Sequence, residues 1–394
     1  MKRALIIGIY GQIGFYLSNI LVQNGYGVKG TIATDWSRDQ DDETTGYDGL
    51  LFHPSVEMIK LRYRDHDSWD KLIRAFYPDE IYILTPVNIA TGHVDRSPAI
   101  NLDLYEPFIL HVLDLAKSLM ETYRPHIFHA CQTNLFGFPG TIPQSELTPL
   151  VTDDPEIKPI LRSFLHCRAY RDAYGINATN GILADSLSVY QNAVSFERYI
   201  SQSLAEVVLG QRETIPVGDL TVKRDRVHAL DCAEGIHRAA QQKRADDYLF
   251  ASGISSGREV LLFHAARPLG LTLRFVTQGN QRLGFLNDLD ENKFIEQVGE
   301  VYLAAIKGRI VCKDDLKSLK KADKKKAVIS SKPSGRGRAE APFLLGDYSK
   351  AKRELNWKPQ YHFVEVIKQM VLEDLKRLRS RSADELIKKQ ILSA

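Results

Sequence analysis

Short apolar runs alternate with amphipathic stretches along the first half of the chain. Residues 4–7 are apolar and run into Gly8, as a strand buried on both faces does. Leu17, Ile20 and Leu21 then recur at helical spacing up to Gly25, and a second apolar run covers 28–33. The same alternation predicts a helix over 68–76, a strand over 80–84, a helix over 106–120 and a strand over 126–130. Strands and helices in alternation imply a parallel sheet with right-handed crossovers, an α/β fold of the doubly wound Rossmann type.

Beyond residue 176 the rhythm loosens. It predicts strands over 179–184 and 248–251, helices over 197–209 and 258–269, and a terminal amphipathic helix over 364–378. We expect a dinucleotide-binding Rossmann domain on 1–183 with parts of 220–255. A smaller C-terminal α/β substrate lobe follows on 184–219 and 256–394.

The 394 residues are 44% hydrophobic and 26% charged, enough for a full core. The net charge, 52 − 49 = +3, is too small for a nucleic-acid-binding field. One stretch departs from this balance: 313–338 holds ten Lys and Arg against three Asp, a local +7. It reads as a mobile basic insertion, either solvated without a specific partner or associated with nucleic acid.

Cys131, Cys167, Cys232 and Cys312 form no CxxC pair, which excludes a zinc ribbon and fits free thiols in a reducing compartment. The histidines show no metal spacing, so no metal is expected. His166 beside Cys167 is not a nucleophile and base, because neighbours on a helix face different ways. No apolar run reaches the roughly 20 residues of a membrane helix, and the N-terminal stretch is too short for a signal peptide. A cytoplasmic location is expected.

The clearest chemistry lies in Gly8-Ile9-Tyr10-Gly11-Gln12-Ile13-Gly14, between a strand and a helix. Glycines there permit a tight turn and let backbone approach a pyrophosphate at the helix N-terminus. The candidate cofactor residues are Gly8, Tyr10, Gly11, Gln12, Ile13 and Gly14. Asp35 joins them as an acid placed to hold a ribose 2′-hydroxyl, unless it is one of a solvated acidic group with Asp39, Asp41 and Asp42.

This motif, continued by Phe15, Tyr16 and Leu17 and by Asn24-Gly25-Tyr26, resembles the start of the GDP-mannose 4,6-dehydratases. That family belongs to the extended short-chain dehydrogenase/reductases. Tyr77-Pro78-Asp79-Glu80-Ile81-Tyr82, Asn180-Gly181-Ile182-Leu183, Arg224-Asp225 with His228 and Asp231, and Leu345-Gly346-Asp347 agree with it in order. The resemblance implies a cofactor, NAD or NADP, and a GDP-mannose-like nucleotide sugar. It implies oxidation of the sugar at C4, loss of water across C5–C6, and return of the hydride. It also implies a homodimer or larger, paired through two helices near 104–120 and 156–173. The second carries Ile157, Ile160, Leu161, Phe164 and Leu165 at helical spacing.

The matched catalytic positions are all replaced. The superfamily's acid/base Tyr falls on Glu156, and the Lys four residues later falls on Ile160, which has no charge. The family's Thr and general-base Glu fall on Gln132 and Asn134, and an amide cannot accept the C5 proton. Lys158 could substitute for the lost Lys only by a helix slip, beside a Pro159 that makes a regular helix unexpected. Tyr348 to Lys352, the chain's one Tyr-x-x-x-Lys, reads as a surface helix start. The arginines that read a 2′-phosphate fall on Ala33 and Thr34, which favours NAD.

On the substrate side Arg224, Arg198 and Glu340 match the family. Arg224 either grips a diphosphate or pairs structurally with Asp225. The Asn, His, Glu, Pro and arginine pair expected over 184–192 are gone. Two functions stay open: a divergent dehydratase-like protein of nucleotide sugars, or a non-catalytic homologue used for regulation, assembly or scaffolding.

Overall fold

A computed structural model of the chain describes residues 1–33, 50–84, 102–152, 154–155, 157–192, 195–311, 326–331 and 342–392, with side chains to 380. Asp35, Glu156, Glu340, Cys312 and most of the basic stretch lie outside the described residues.

The central sheet holds β1 (Arg3–Ile7), β2 (Gly27–Ala33), β3 (Glu57–Leu61), β4 (Glu80–Ile83), β5 (His126–Gln132), β6 (Ala178–Leu183) and β10 (Asp247–Phe250). All run parallel, in spatial order β3-β2-β1-β4-β5-β6-β10. The helices α1 (Gln12–Gln23) and α6 (Ala229–Ala240) pack together, as do α3 (Tyr105–Ser118) and α4 (Lys158–Tyr174), with α2 (His66–Phe76) against α3. Leu5, Ile81, Ile127 and Ile182 form the centre of the core, each at most 1% exposed. Burying each such side chain contributes roughly 2 kcal/mol. Strand order reverses between β1 and β4, which opens a crevice at the carboxyl ends of the strands.

A second core gathers α5 (Phe196–Val208), α7 (Arg258–Ala266) and α11 (Phe363–Leu392) around Leu204, Leu261, Ile367 and Val371. Beside it lie β7 (Asp185–Leu187), β9 (Lys223–His228) and β11 (Ser255–Gly257) as one sheet. A four-stranded sheet orders β12 (Leu271–Gln278), β13 (Gln281–Leu289), β14 (Ile329–Ser331) and β8 (Ile215–Val217). Shorter helices α8 (Glu291–Gln297), α9 (Leu303–Lys307) and α10 (Ser349–Leu355) complete the chain.

Four sequence expectations are corrected here. The stretch 313–338 is not mobile throughout: Ala327, Val328 and Ile329 are buried, and β14 joins β13 to β8. Its apolar run is short, but a strand closed on both sides needs no more. Pro159 does not disturb α4, because it sits in the first turn, where its missing N–H has no partner to lose. Leu344, Ala351, Leu355 and Trp357 pack into the first core instead of the second. Finally, the apolar stripe of α4 faces inward: Ile157, Ile160 and Phe164 are buried, and only Leu165, 48% exposed, points to solvent.

Candidate functional site

The glycine loop closes the end of β1 at the crevice. Gly8 has φ +85°, and a Cβ there would lie 2.6 Å from the Leu84 carbonyl oxygen. A Cβ on Gly14 would come within 2.5 Å of the Ile9 carbonyl oxygen. These two glycines are demanded by packing. Gly11 is different: its φ is −73°, and a Cβ there would meet only the Gly8 oxygen, at 3.7 Å. Internal contacts would tolerate a Cβ at Gly11, so its absence leaves the front of α1 clear. Among the described residues no side chain caps α1, and no acid stands in its first turn. Free N–H groups and the positive end of the helix dipole therefore face the crevice, a fit for a pyrophosphate. Tyr10 rests near Phe52, with ring centroids 5.4 Å apart, and Ile13 packs against the core.

At the end of β5 the side-chain amide of Asn134 donates to Oε1 of Gln132 at 3.3 Å. The Asn134 Oδ1 is buried and has no hydrogen-bond partner among the described residues. Ile160 is 1% exposed, while Lys158 is exposed. Buried Ile160 offers neither a base nor an ammonium to a sugar here.

Beneath this end runs a polar ladder that the sequence reading missed. His129 Nδ1 and Nε2 lie 2.9 Å from Asn180 Oδ1 and from the Tyr105 hydroxyl. Asn180 donates to Asp247 at 2.9 Å, and Asp247 also takes Arg168 and Arg171. Burial pushes His129 down to about 4, so its ring is neutral. Despite burial, which opposes it, the two arginines hold the Asp247 carboxyl below its usual range. Burial pushes the Cys131 thiol well up and Cys167 up to about 12, so neither is a thiolate. The visible signal was two polar residues, His129 and Asn180, inside otherwise apolar strands.

On the second lobe Arg224 is buried, and its Nη1 donates to the Lys223 carbonyl at 2.8 Å. Its neighbour Asp225 instead accepts from Ser252, Gly253 and Gly346, so the alternative of an Arg224–Asp225 pair is not the arrangement found. Arg198, a candidate substrate residue, is engaged structurally: it meets Asp374 at 2.6 Å and donates to the Val189 carbonyl at 2.9 Å. Arg226, not singled out from sequence, forms a buried pair with Glu197 at 2.9 Å and donates to the Ser256 carbonyl at 2.8 Å.

His166 meets Glu106 at 3.1 Å while Cys167 is buried, as neighbours on a helix should diverge. Tyr348 stands at the start of α10. A concavity of about 1300 Å³ lies at the opposite pole, lined by Arg124, Arg171, Lys243, Arg244, Asp172 and Asp246 among others. There the C-terminal ends of α3, α4 and α6 meet cations, which suits their dipoles and needs no ligand. Among the described residues, no three His, Cys, Asp or Glu could hold a metal ion, and no helix is long and apolar enough to cross a membrane.

A glycine loop at the switch point of a seven-stranded parallel sheet, under a second lobe, defines a Rossmann protein of the nucleotide-binding class. Within that class, the chain belongs to the GDP-mannose 4,6-dehydratase family, whose sequence pattern matches residues 5–370. It is 30% identical over 389 residues to a GDP-mannose 4,6-dehydratase of Vibrio cholerae, covering 97% of this chain and 95% of that one. It is 31% identical to GDP-mannose 4,6 dehydratase of Homo sapiens, covering 96% and 92%. Among solved structures it resembles dTDP-glucose 4,6-dehydratase from Bacillus anthracis in complex with NAD, with a TM-score of 0.65 at 15% identity over 96% and 97% of the chains.

Proposed function

We propose that this chain binds NAD or NADP and a GDP-mannose-like nucleotide sugar, and does not carry out the dehydration. The observation that supports it most is the hydrogen bond that the Asn134 side-chain amide donates to Gln132, at the positions matched to the family's carboxylate and hydroxyl. A carboxamide has no basic oxygen near neutral pH, so no residue at that place can take the C5 proton. Buried Ile160 likewise supplies no ammonium to lower an acid/base pKa.

Bound NAD or NADP would supply hydride transfer. This chain's own part is to hold the pyrophosphate on the N–H groups behind Gly11. Arg224 and Glu340 meet the nucleotide sugar, and Arg198 positions 184–192 through Val189. Asp35 is assigned to the ribose. The Rossmann domain takes 1–183 and parts of 220–255, and Leu344, Ala351, Leu355 and Trp357 pack onto its core. A homo-oligomer forms through the outer faces of α3 and α4. The protein then serves by binding and assembly, as a non-catalytic homologue.

The test is native mass spectrometry of the purified chain with NAD, NADP and GDP-mannose, paired with a product assay. Retained ligand without 4-keto-6-deoxy sugar is expected. Product at an ordinary enzymatic rate, or no ligand at all, sinks the reading.

A further inference from the structure

The segment 184–192 lacks the charged groups expected there, but it makes other contacts. Gln12, inside the glycine loop, extends its side chain to this segment. Its Nε2 donates to the Ser186 carbonyl at 2.8 Å and to Ser186 Oγ at 3.0 Å. Its Oε1 accepts from Ser188 Oγ at 2.6 Å. On the next turn of α1, Phe15 and Tyr16 hold the ring of Tyr190, with centroids 4.7 and 5.7 Å away. Ser188 is fully buried, and its Oγ also accepts from the Tyr190 N–H at 3.1 Å. The same segment continues into the second lobe: Ser186 and Leu187 of β7 pair with Val227 and His228 of β9, the strand that carries Arg224.

We propose that Gln12 is a positioning residue, a latch that couples dinucleotide binding at the glycine loop to nucleotide-sugar binding on the second lobe. The inference rests on the binding reading above. The backbone of Gln12 belongs to the loop that a pyrophosphate must touch, and its side chain is committed to β7 and the turn behind it. A dinucleotide that fixes the loop fixes Gln12, and through Ser186 it fixes the seat of β9. Coupling of this kind is reciprocal, so a nucleotide sugar that orders β9 tightens the dinucleotide by the same factor.

Calorimetry tests it on the full chain, with NAD and NADP titrated with and without saturating GDP-mannose. In the native chain GDP-mannose should tighten the dinucleotide about fivefold or more. In Ser188→Ala, which changes no residue of the glycine loop and removes the Oγ bonded to the Gln12 side chain and the Tyr190 N–H, that gain should fall below about twofold while the dinucleotide alone still binds. Equal coupling in the two proteins, or none in the native chain, overturns the latch. Absence of all dinucleotide binding overturns the functional reading itself, so the two failures are told apart. Hydrogen exchange needs no variant: adding dinucleotide should slow exchange over 186–191, and unchanged exchange there also overturns the latch.

Discussion

The Asn134 side-chain amide donates to the Gln132 Oε1 across 3.3 Å at the end of β5, while the buried Asn134 Oδ1 takes no hydrogen bond among the described residues. The two side chains form a neutral, non-basic pair.

The first consequence is catalytic. Each general base contributes typically about 10²–10⁴-fold, so native chain incubated with GDP-mannose and NADP should form no 4-keto-6-deoxy product. Restoring groups by Gln132→Thr, Asn134→Glu, Glu156→Tyr and Ile160→Lys should restore little. Ile160→Lys puts an ammonium at a position 1% exposed, so the variant should also melt lower than the native chain. Chromatography of the reaction and a melting curve check both statements.

The glycines separate fold from binding. Gly14→Ala drives a Cβ within 2.5 Å of the Ile9 carbonyl oxygen and should cost about 2 kcal/mol or more. A Cβ at Gly11 meets only the Gly8 oxygen, at 3.7 Å, so the urea midpoint of Gly11→Val should stay close to native. Yet its side chain fills the space in front of α1, and calorimetry should show dinucleotide binding lost.

The buried pair of Arg226 with Glu197 ties β9 to α5. The Arg226 guanidinium outweighs burial and holds the Glu197 carboxyl below its ordinary range. Glu197→Ala leaves a buried guanidinium unpaired and should destabilise by about 3–5 kcal/mol in urea unfolding. Replacing the pair together with apolar residues should cost far less.

Acid should weaken the fold through neutral buried histidines. Burial lowers His126, His129 and His228 from 6.5 to about 4. The unfolded chain therefore takes up protons first. The contribution is fully present above pH 6.5 and is lost as pH falls from 6.5 toward 4. Each histidine amounts to roughly 3 kcal/mol when fully expressed. Melting temperature should fall steeply over that window, and His129→Gln should flatten part of the slope. A flat profile between pH 6.5 and 4 contradicts this.

Assembly, if it uses α3 and α4, cannot use the buried stripe of α4. Leu165, 48% exposed, is the apolar group left outside. Leu165→Glu should shift a dimer toward monomer in light scattering at micromolar concentration, without changing the melting temperature of the monomer. A native chain that is already monomeric refutes the interface.

The sequence alone determined the Rossmann half. Periods of two and 3.6 and the glycine spacing are local signals, and β1, α1, β2, β4, α3, β5 and β6 fall where they point. Residue type at Gln132, Asn134 and Ile160 can likewise be read without coordinates, and the structure adds that Ile160 is buried. Tertiary structure decided what could not be local. β3 lies on the sheet edge, where one face stays partly open and the apolar signal is weak. The hairpin of β12 and β13 and the closing strand β14 are held by pairings between distant segments, so a run as short as Ile329–Ser331 suffices. The stripe of α4 shows the limit most plainly: helical spacing says that one face is apolar, but only the packed sheet says which surface covers it. Arg198, Arg226 and Gln12 follow the same rule. A charged or amide side chain finds its partner in three dimensions, and Asp374, Glu197 and Ser188 stand 176, 29 and 176 residues away along the chain.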